Sequence, residues 1–158
     1  MPRTSGKWHL TLNLLAVLIL FLLAFQFLAG MVVNLYYEIP KVHPGVNAAE
    51  YLSGIIQVIG WGLSRSVWSL QTHIAIGLIL VLASSALLAF AISSRQTGWI
   101  VTTLCGWVGI VGAAFHGASF LIYGREFSSL IMAFSFLLAG ISISVGLFIQ
   151  RGRGLNRD

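Results

Sequence analysis

The chain has 158 residues, of which 58% are hydrophobic and only 8% charged, and its formal net charge is +5. Soluble domains carry about 25% charged and about 45–50% apolar residues, so this composition excludes a soluble enzyme, a disordered chain and a nucleic-acid-binding module. Because the nine Lys and Arg residues are divided among short segments between apolar runs, they indicate membrane topology. The single cysteine, Cys105, excludes an intramolecular disulfide.

Four apolar runs, at about 13–36, 70–92, 98–122 and 127–149, contain no Asp, Glu, Lys or Arg. Each run is long enough to cross a bilayer as a helix, which requires about 20 residues. We therefore expect an all-α, integral membrane four-helix bundle that forms one domain over residues 1–158. The first run is longer than the apolar part of a secretory signal, so it is expected to be a retained helix.

A long connection, residues 38–69, separates the first two spans. Asn47 and Glu50 have the spacing of a capping box, and the apolar residues that follow share one helical face: Tyr51, Leu52, Ile55, Ile56 and Ile59. The pattern predicts an amphipathic helix at about 47–61 that lies on the outer face as a lid over the bundle. The alternative is an unstructured loop.

The basic residues are unevenly divided between the two sides of the predicted bundle. Three basic residues lie in the two connections opposite the termini, one between the first and second spans and one between the third and fourth. Six lie on the side of the termini: Arg3, Lys7, Arg95, Arg151, Arg153 and Arg157. The positive-inside rule therefore predicts that both termini are cytoplasmic. The expected location is the plasma (inner) membrane.

Two of the four histidines, His73 and His116, lie inside predicted spans. Ionisable groups are costly there and are candidates for function. Each histidine is about 21 residues from the predicted turn near residues 94–95, so an antiparallel hairpin brings both to nearly the same depth, in the outer third of the bilayer. Small residues at helical spacing share their faces: Gly77 with His73, and Ala113 and Gly117 near His116.

Two facing imidazoles with room for a flat ligand favour axial ligation of the iron of haem b. At the outer mouth, Tyr123 and Arg125 are candidates for a bond to a propionate, and the Tyr123 phenol also suits a quinone carbonyl. The predicted site has His73 and His116 on the iron and the following residues around the cofactor: Gly77, Ala113, Gly117, Tyr123 and Arg125.

Other interpretations of these residues remain open. A neutral histidine can hold a bundle together by hydrogen bonding across helices. Met31 and Met132 also lie near the outer side, so a His/Met haem is chemically reasonable. A zinc or copper site is less favoured, because it would need a third or fourth ligand.

Four spans with histidines at equal depth resemble the small membrane-bound b-type cytochromes. The long outer loop followed by Gln71-Thr72-His73 at the start of the second span is also similar to half of a haem A synthase. The resemblance implies one bis-histidine haem b and electron transfer near the outer face, with a quinone or a redox protein as partner. Whether the chain is an enzyme stays open.

The alternative function is of a different class. Glycine and serine residues recur at helical spacing on the third and fourth spans, and such faces allow close helix packing in membranes. They favour a non-enzymatic accessory subunit that docks other membrane helices or associates with itself. No nucleic acid is expected as a partner.

Overall fold

The computed structural model describes the backbone of residues 4–155 and the side chains of residues 10–149. Over this range the chain forms five helices and no strand: α1 (Thr4–Tyr36), α2 (Tyr51–Arg65), α3 (Trp68–Ser94), α4 (Thr97–Tyr123) and α5 (Glu126–Leu155). The predicted all-α class is confirmed.

Four of these helices are long and apolar enough to cross a membrane. The spanning segments are Leu10–Tyr36, Trp68–Ser94, Thr97–Tyr123 and Glu126–Ile149, which confirms the four predicted spans. The helices extend a few residues beyond the apolar runs, because continuing the helix satisfies backbone hydrogen bonds close to the lipid. The chain is therefore a helical membrane protein, and the side on which its termini lie stays a prediction.

The tight turns between helices are built on left-handed backbone conformations. Arg95 (φ 56°) ends α3 and donates its N–H to the Ile92 carbonyl. Gly124 (φ 62°) ends α4 in the same way, with its N–H donated to Phe120. The bundle thus has two ends, which we call the Arg95 end, with the α3–α4 turn, and the α2 end, with α2 and the α4–α5 turn.

The helix α2 begins later and ends later than predicted. Glu50 is its N-cap and makes no side-chain cap bond, whereas the Asn47 carboxamide oxygen accepts from the N–H of Ala49. The expected capping box is therefore wrong, because Asn47 stabilises a turn before the helix instead. The helix α2 continues through Gly62. The absence of a side chain at Gly62 lets α2 pack closely against Ile74 of α3.

The predicted apolar stripe of α2 is divided between two environments. Ile55 is buried with Val58 and Trp61 in a core cluster beneath α2. Leu52 and Ile56 are instead 69% and 72% exposed. One face of α2 thus covers the ends of the spanning helices, and a second apolar face points away from the bundle, as expected for a helix at a membrane surface.

The most extensive helix contacts are between α4 and α5, followed by α1 with α3 and then α3 with α4. Gly109 allows the closest approach, because a Cβ there would lie 2.6 Å from the Ser135 carbonyl oxygen. Gly106 similarly packs on Ile143. The glycine and serine faces that predicted docking of other subunits are thus in contact with each other inside this chain.

Candidate functional site

His73 lies on the face of α3 that packs against α1. Its Cε1 atom is 3.0 Å from the position that a Cβ on Gly30 would occupy. Its Nε2 atom is 3.3 Å from Nε2 of Gln26, and the Cβ position of Gly77 is also 3.3 Å from that amide nitrogen. Two glycines, one on each helix, thus make room for the imidazole of His73 and the carboxamide of Gln26.

The Gln26–His73 pair has unused hydrogen-bonding capacity. The two side chains share a single contact between their Nε2 atoms, in which the amide nitrogen is the donor. Within the described part of the chain, Nδ1 of His73 and Oε1 of Gln26 are buried with no partner. An unsatisfied buried polar group costs about 1–3 kcal/mol, so each of these two atoms lowers the stability of the α1–α3 interface.

His116 lies on α4, half-buried, with its ring edge-on to that of Phe115 at 5.6 Å. It follows Gly112 by four residues, and Gly112 packs against Ser135 of α5, so His116 lies on or beside the α5-facing side of α4. The Cβ position of the adjacent Gly117 is 3.1 Å from the sulfur of Met132 on α5. The small residues around His116 therefore serve the α4–α5 contact, and Ala113 is half-buried on the same helix.

The hairpin brings the two intramembrane histidines to similar levels along their helices. His73 precedes the end of α3 at Ser94 by 21 residues, and His116 follows the start of α4 at Thr97 by 19. The difference of two residues corresponds to about 3 Å of helix rise. The two histidines thus lie at similar depths, as the residue count from the turn predicts. His73 lies on the face of α3 that packs against α1, whereas His116 lies on α4 near the contact with α5.

Axial ligation of one haem by both histidines stays a prediction. His73 contacts Gln26 and Gly30 of α1, whereas His116 follows by four residues Gly112, which packs against α5. The described residues also contain no group of three or more His, Cys, Asp or Glu that could hold a metal ion. A bis-histidine haem needs only two protein ligands, so the lack of such a group does not bear on it.

Tyr123 and Arg125 lie at the α2 end and are engaged within the chain. The Tyr123 hydroxyl donates to the Ala48 carbonyl at 2.9 Å, and its ring stacks on Tyr51 with 5.7 Å between centroids. The Arg125 guanidinium lies 5.0 Å from the Tyr123 ring centroid. The Tyr51 hydroxyl in turn donates to Ser119 of α4 at 3.3 Å. These contacts hold α2 and the loop before it against α4. The contacts of Tyr123 and Arg125 with a propionate or a quinone stay predictions.

His43 is a buried residue that the sequence analysis did not single out. It is 7% exposed and lies edge-on to Trp61 of α2, with 4.4 Å between ring centroids. Its Nε2 is buried and has no partner among the described residues. Burial lowers the pKa of His43 below its ordinary value. Its position between Val42 and Pro44 in a loop gave no sequence signal of this packing.

A groove of about 760 Å³ lies between α1 and α5, whose mutual contact is small. Its walls are apolar apart from one hydroxyl, and they comprise Leu20, Leu23, Ala24, Phe27, Leu28, Phe136, Leu137, Gly140, Ile141, Ser144, Val145, Phe148 and Ile149. The rings of Phe27 and Phe136 lie 6.4 Å apart and join the two walls at one end. Gly140 adds to the width, since no described neighbouring atom lies within 4 Å of its Cβ position.

Comparison with known protein families, with curated proteins and with solved structures found no match to this chain.

Proposed function

We propose that the protein binds a hydrocarbon chain of a membrane lipid in the α1–α5 groove. The observation that carries this proposal is an elongated apolar groove between two spanning helices that touch each other little. The four apolar helices already indicate a lipid bilayer as the surroundings of the protein.

The length of the groove suits a hydrocarbon chain. Its α5 wall extends from Phe136 to Ile149, which corresponds to about 20 Å of helix length. A chain that lies along this wall contacts it over that whole length.

The lining of the groove also suits a hydrocarbon chain, which forms no hydrogen bonds. Surrounding lipid is as apolar as the groove, so the hydrophobic effect gives little preference for the bound position. The preference must come from close packing, in which many weak contacts add up. The open space at Gly140 and the small side chains of Ala24 and Ser144 provide a surface against which a chain can lie.

Two other functions remain separate proposals. Docking as an accessory subunit through glycine and serine faces is less favoured, because Gly106, Gly109 and Gly112 pack against α5 of the same chain. Electron transfer through haem b depends on ligation by His73 and His116, and neither the groove nor its lining supports it.

Photolabelling tests the groove. The full-length protein is reconstituted in vesicles of phosphatidylethanolamine and phosphatidylglycerol that contain a phospholipid with a diazirine in its acyl chain. We expect labelled residues to concentrate on the groove walls, and Gly140→Leu to reduce this labelling several-fold by filling the groove. Ala114→Leu is the matched control, since Ala114 is exposed on α4 and is not among the residues that line the groove. Equal labelling in the two variants would contradict the proposal.

A further inference from the structure

We infer that the α2 end carries a second binding site, in which a small pocket beside the last turns of α2 takes a phosphate group. The pocket has a volume of about 210 Å³ and shares no lining residue with the α1–α5 groove. It is lined by Pro44, Gly45, Gln57, Trp61, Ser64 and Arg65. The inference is therefore independent of what the groove binds.

One wall of the pocket is a single face of α2. Gln57 precedes Trp61 by four residues, which is the spacing of neighbours on a helix. Ser64 and Arg65 follow Trp61 by three and four residues and lie on the same face. Trp61 is buried, whereas the other three residues are exposed. This wall thus has an aromatic side chain at its most buried point and polar side chains around it.

The other wall is a tight turn in the loop before α2. The Val46 N–H donates to the His43 carbonyl at 3.1 Å, which places Pro44 and Gly45 at the centre of a four-residue turn. Gly45 has a φ of 84°, as the third residue of a type II turn requires, and proline is common at the second position. The buried ring of His43 lies edge-on to Trp61, with 4.4 Å between centroids. The turn is thus held against α2 by a packed contact.

The polar groups of the pocket that have spare hydrogen-bonding capacity are donors. Gln57 Oε1 accepts from the Asn47 N–H at 2.6 Å, which leaves the amide NH₂ of Gln57 to donate. The Arg65 guanidinium makes no ion pair with any residue that the structure describes. The Ser64 hydroxyl already donates to the Gly60 carbonyl at 2.7 Å. None of the six lining residues is acidic, so the pocket suits an anion.

The selection for an anion is local to the pocket, because the charged side chains of the α2 end balance. The three basic residues there are Lys41, Arg65 and Arg125, and the three acidic residues are Glu38, Glu50 and Glu126. Glu50 precedes Arg65 by the full length of α2, about 22 Å, and accepts from the Ser53 hydroxyl. Glu38 and Glu126 do not line the pocket.

The carboxyl end of a helix opposes this selection, since it carries about half a negative charge. In α2, the hydroxyls of Ser64 and Ser66 donate to the carbonyls of Gly60 and Gly62 and satisfy two of the terminal acceptors. Arg65 lies in the last turn and supplies a full positive charge. The guanidinium therefore outweighs the helix end at this pocket.

The position of the pocket relative to the membrane favours phosphate among the anions. The spanning helix α3 begins at Trp68, three residues after Arg65, which is at most about 10 Å of chain. Basic residues this close to a span attract anionic lipid headgroups. The planar guanidinium also matches phosphate oxygens with two parallel hydrogen bonds. The phosphate group can belong to a lipid headgroup or to a soluble phosphate ester, and both present the same oxygens.

Phosphorus NMR of the full-length protein in maltoside micelles tests the site, with glycerol phosphate and dihexanoyl phosphatidylglycerol as separate probes. We expect broadening of the probe signal by the wild-type protein and at least about tenfold weaker binding in Arg65→Gln, which removes the charged donor. Gln57→Glu should also weaken binding, because it keeps the oxygen that accepts from Asn47 and replaces the amide donor with a negative charge. Arg125→Gln is the matched control, since it removes the same charge at the same end from outside the pocket. Circular dichroism checks that each variant is folded.

The two probes distinguish the sources of the phosphate group. Selective loss of the lipid probe in Arg65→Gln identifies a headgroup as the ligand, and selective loss of glycerol phosphate identifies a soluble ester; both results support the site. Binding of neither probe overturns it. Equal losses in Arg65→Gln and Arg125→Gln also overturn it, because the effect is then general surface charge. If glycerate displaces the probes as well as inorganic phosphate does, the pocket does not select phosphate and the inference is wrong.

Discussion

The imidazole of His73 lies directly against Gly30, so that a single methyl group on α1 would come within 3.0 Å of the ring carbon Cε1. Together with the Gln26 amide, this contact fixes the histidine in the α1–α3 interface. The position of the ring depends on the absence of a side chain at Gly30, and this dependence can be measured.

Gly30→Ala should therefore destabilise the protein. The added Cβ forces the His73 ring or the α1 backbone to move, and overpacking of this kind costs about 1–3 kcal/mol. The control is Gly140→Ala, where the same methyl group has open space and the change should be neutral or stabilising by about 0.5–1 kcal/mol through helix propensity. Unfolding in mixed detergent micelles, followed by circular dichroism, measures both. Equal stability of the two variants would show that the ring is not confined.

Gln26 and His73 should behave as a coupled pair in a double-mutant cycle. Gln26→Leu leaves the buried His73 Nε2 without a partner, which costs about 1–3 kcal/mol. His73→Leu should also lower stability, because it leaves the Gln26 amide without its partner. The double variant should recover part of the loss, because neither polar group of the pair is then left unpaired. The same unfolding assay gives the coupling free energy. Additive losses would mean that the 3.3 Å contact contributes nothing specific to stability.

The stability of the α2 end should fall in mildly acidic solution because of His43. Burial lowers the pKa of His43 in the folded protein, so the unfolded chain takes up its proton first as the pH falls below about 6.5. The stability that His43 contributes is thus present above that pH and is lost as the pH falls through the folded-state pKa. We expect the Tm to decrease from pH 7.5 to pH 5.5, and the decrease to be smaller in His43→Leu. An unchanged pH dependence in that variant would exclude His43 as its source.

Haem binding has a direct spectroscopic test. If His73 and His116 ligate haem b as the sequence predicts, protein from haem-replete cells shows a Soret band that shifts on reduction and is lost in both His73→Ala and His116→Ala. Colourless, folded protein from the same cells would contradict haem ligation by this pair. A Soret band with the stated mutational pattern would establish the predicted pair and require α1 to move.

The level of the histidines was predictable, whereas the direction in which they face was not. Depth follows from counting residues to a turn, and the turn at Arg95 lies where the apolar runs are interrupted. To predict the direction in which a side chain faces, one face of the helix must differ in polarity from the others. The helix α3 is apolar all round, because lipid and the bundle interior are equally apolar. The side of α3 that carries His73 therefore gave no pattern from which contact with α1 could be inferred.

The limits of α2 show a second boundary of sequence reasoning. Its existence was predictable from the helical spacing of the apolar residues after Glu50. Its start was not, because Asn47 has equally good uses as a helix cap and in a turn, and the structure has the turn. The groove between α1 and α5 was also not predictable, since it depends on how far apart two uniformly apolar helices lie.

The packing of α1 on α3 and of α4 on α5 divides the protein into two closely associated halves that meet at Arg95. Each half includes a pair of helices whose main contact is internal to that half. A chain cleaved in the α3–α4 turn therefore retains both pairs, and fragment complementation in the membrane should rebuild the bundle from residues 1–95 and 96–158.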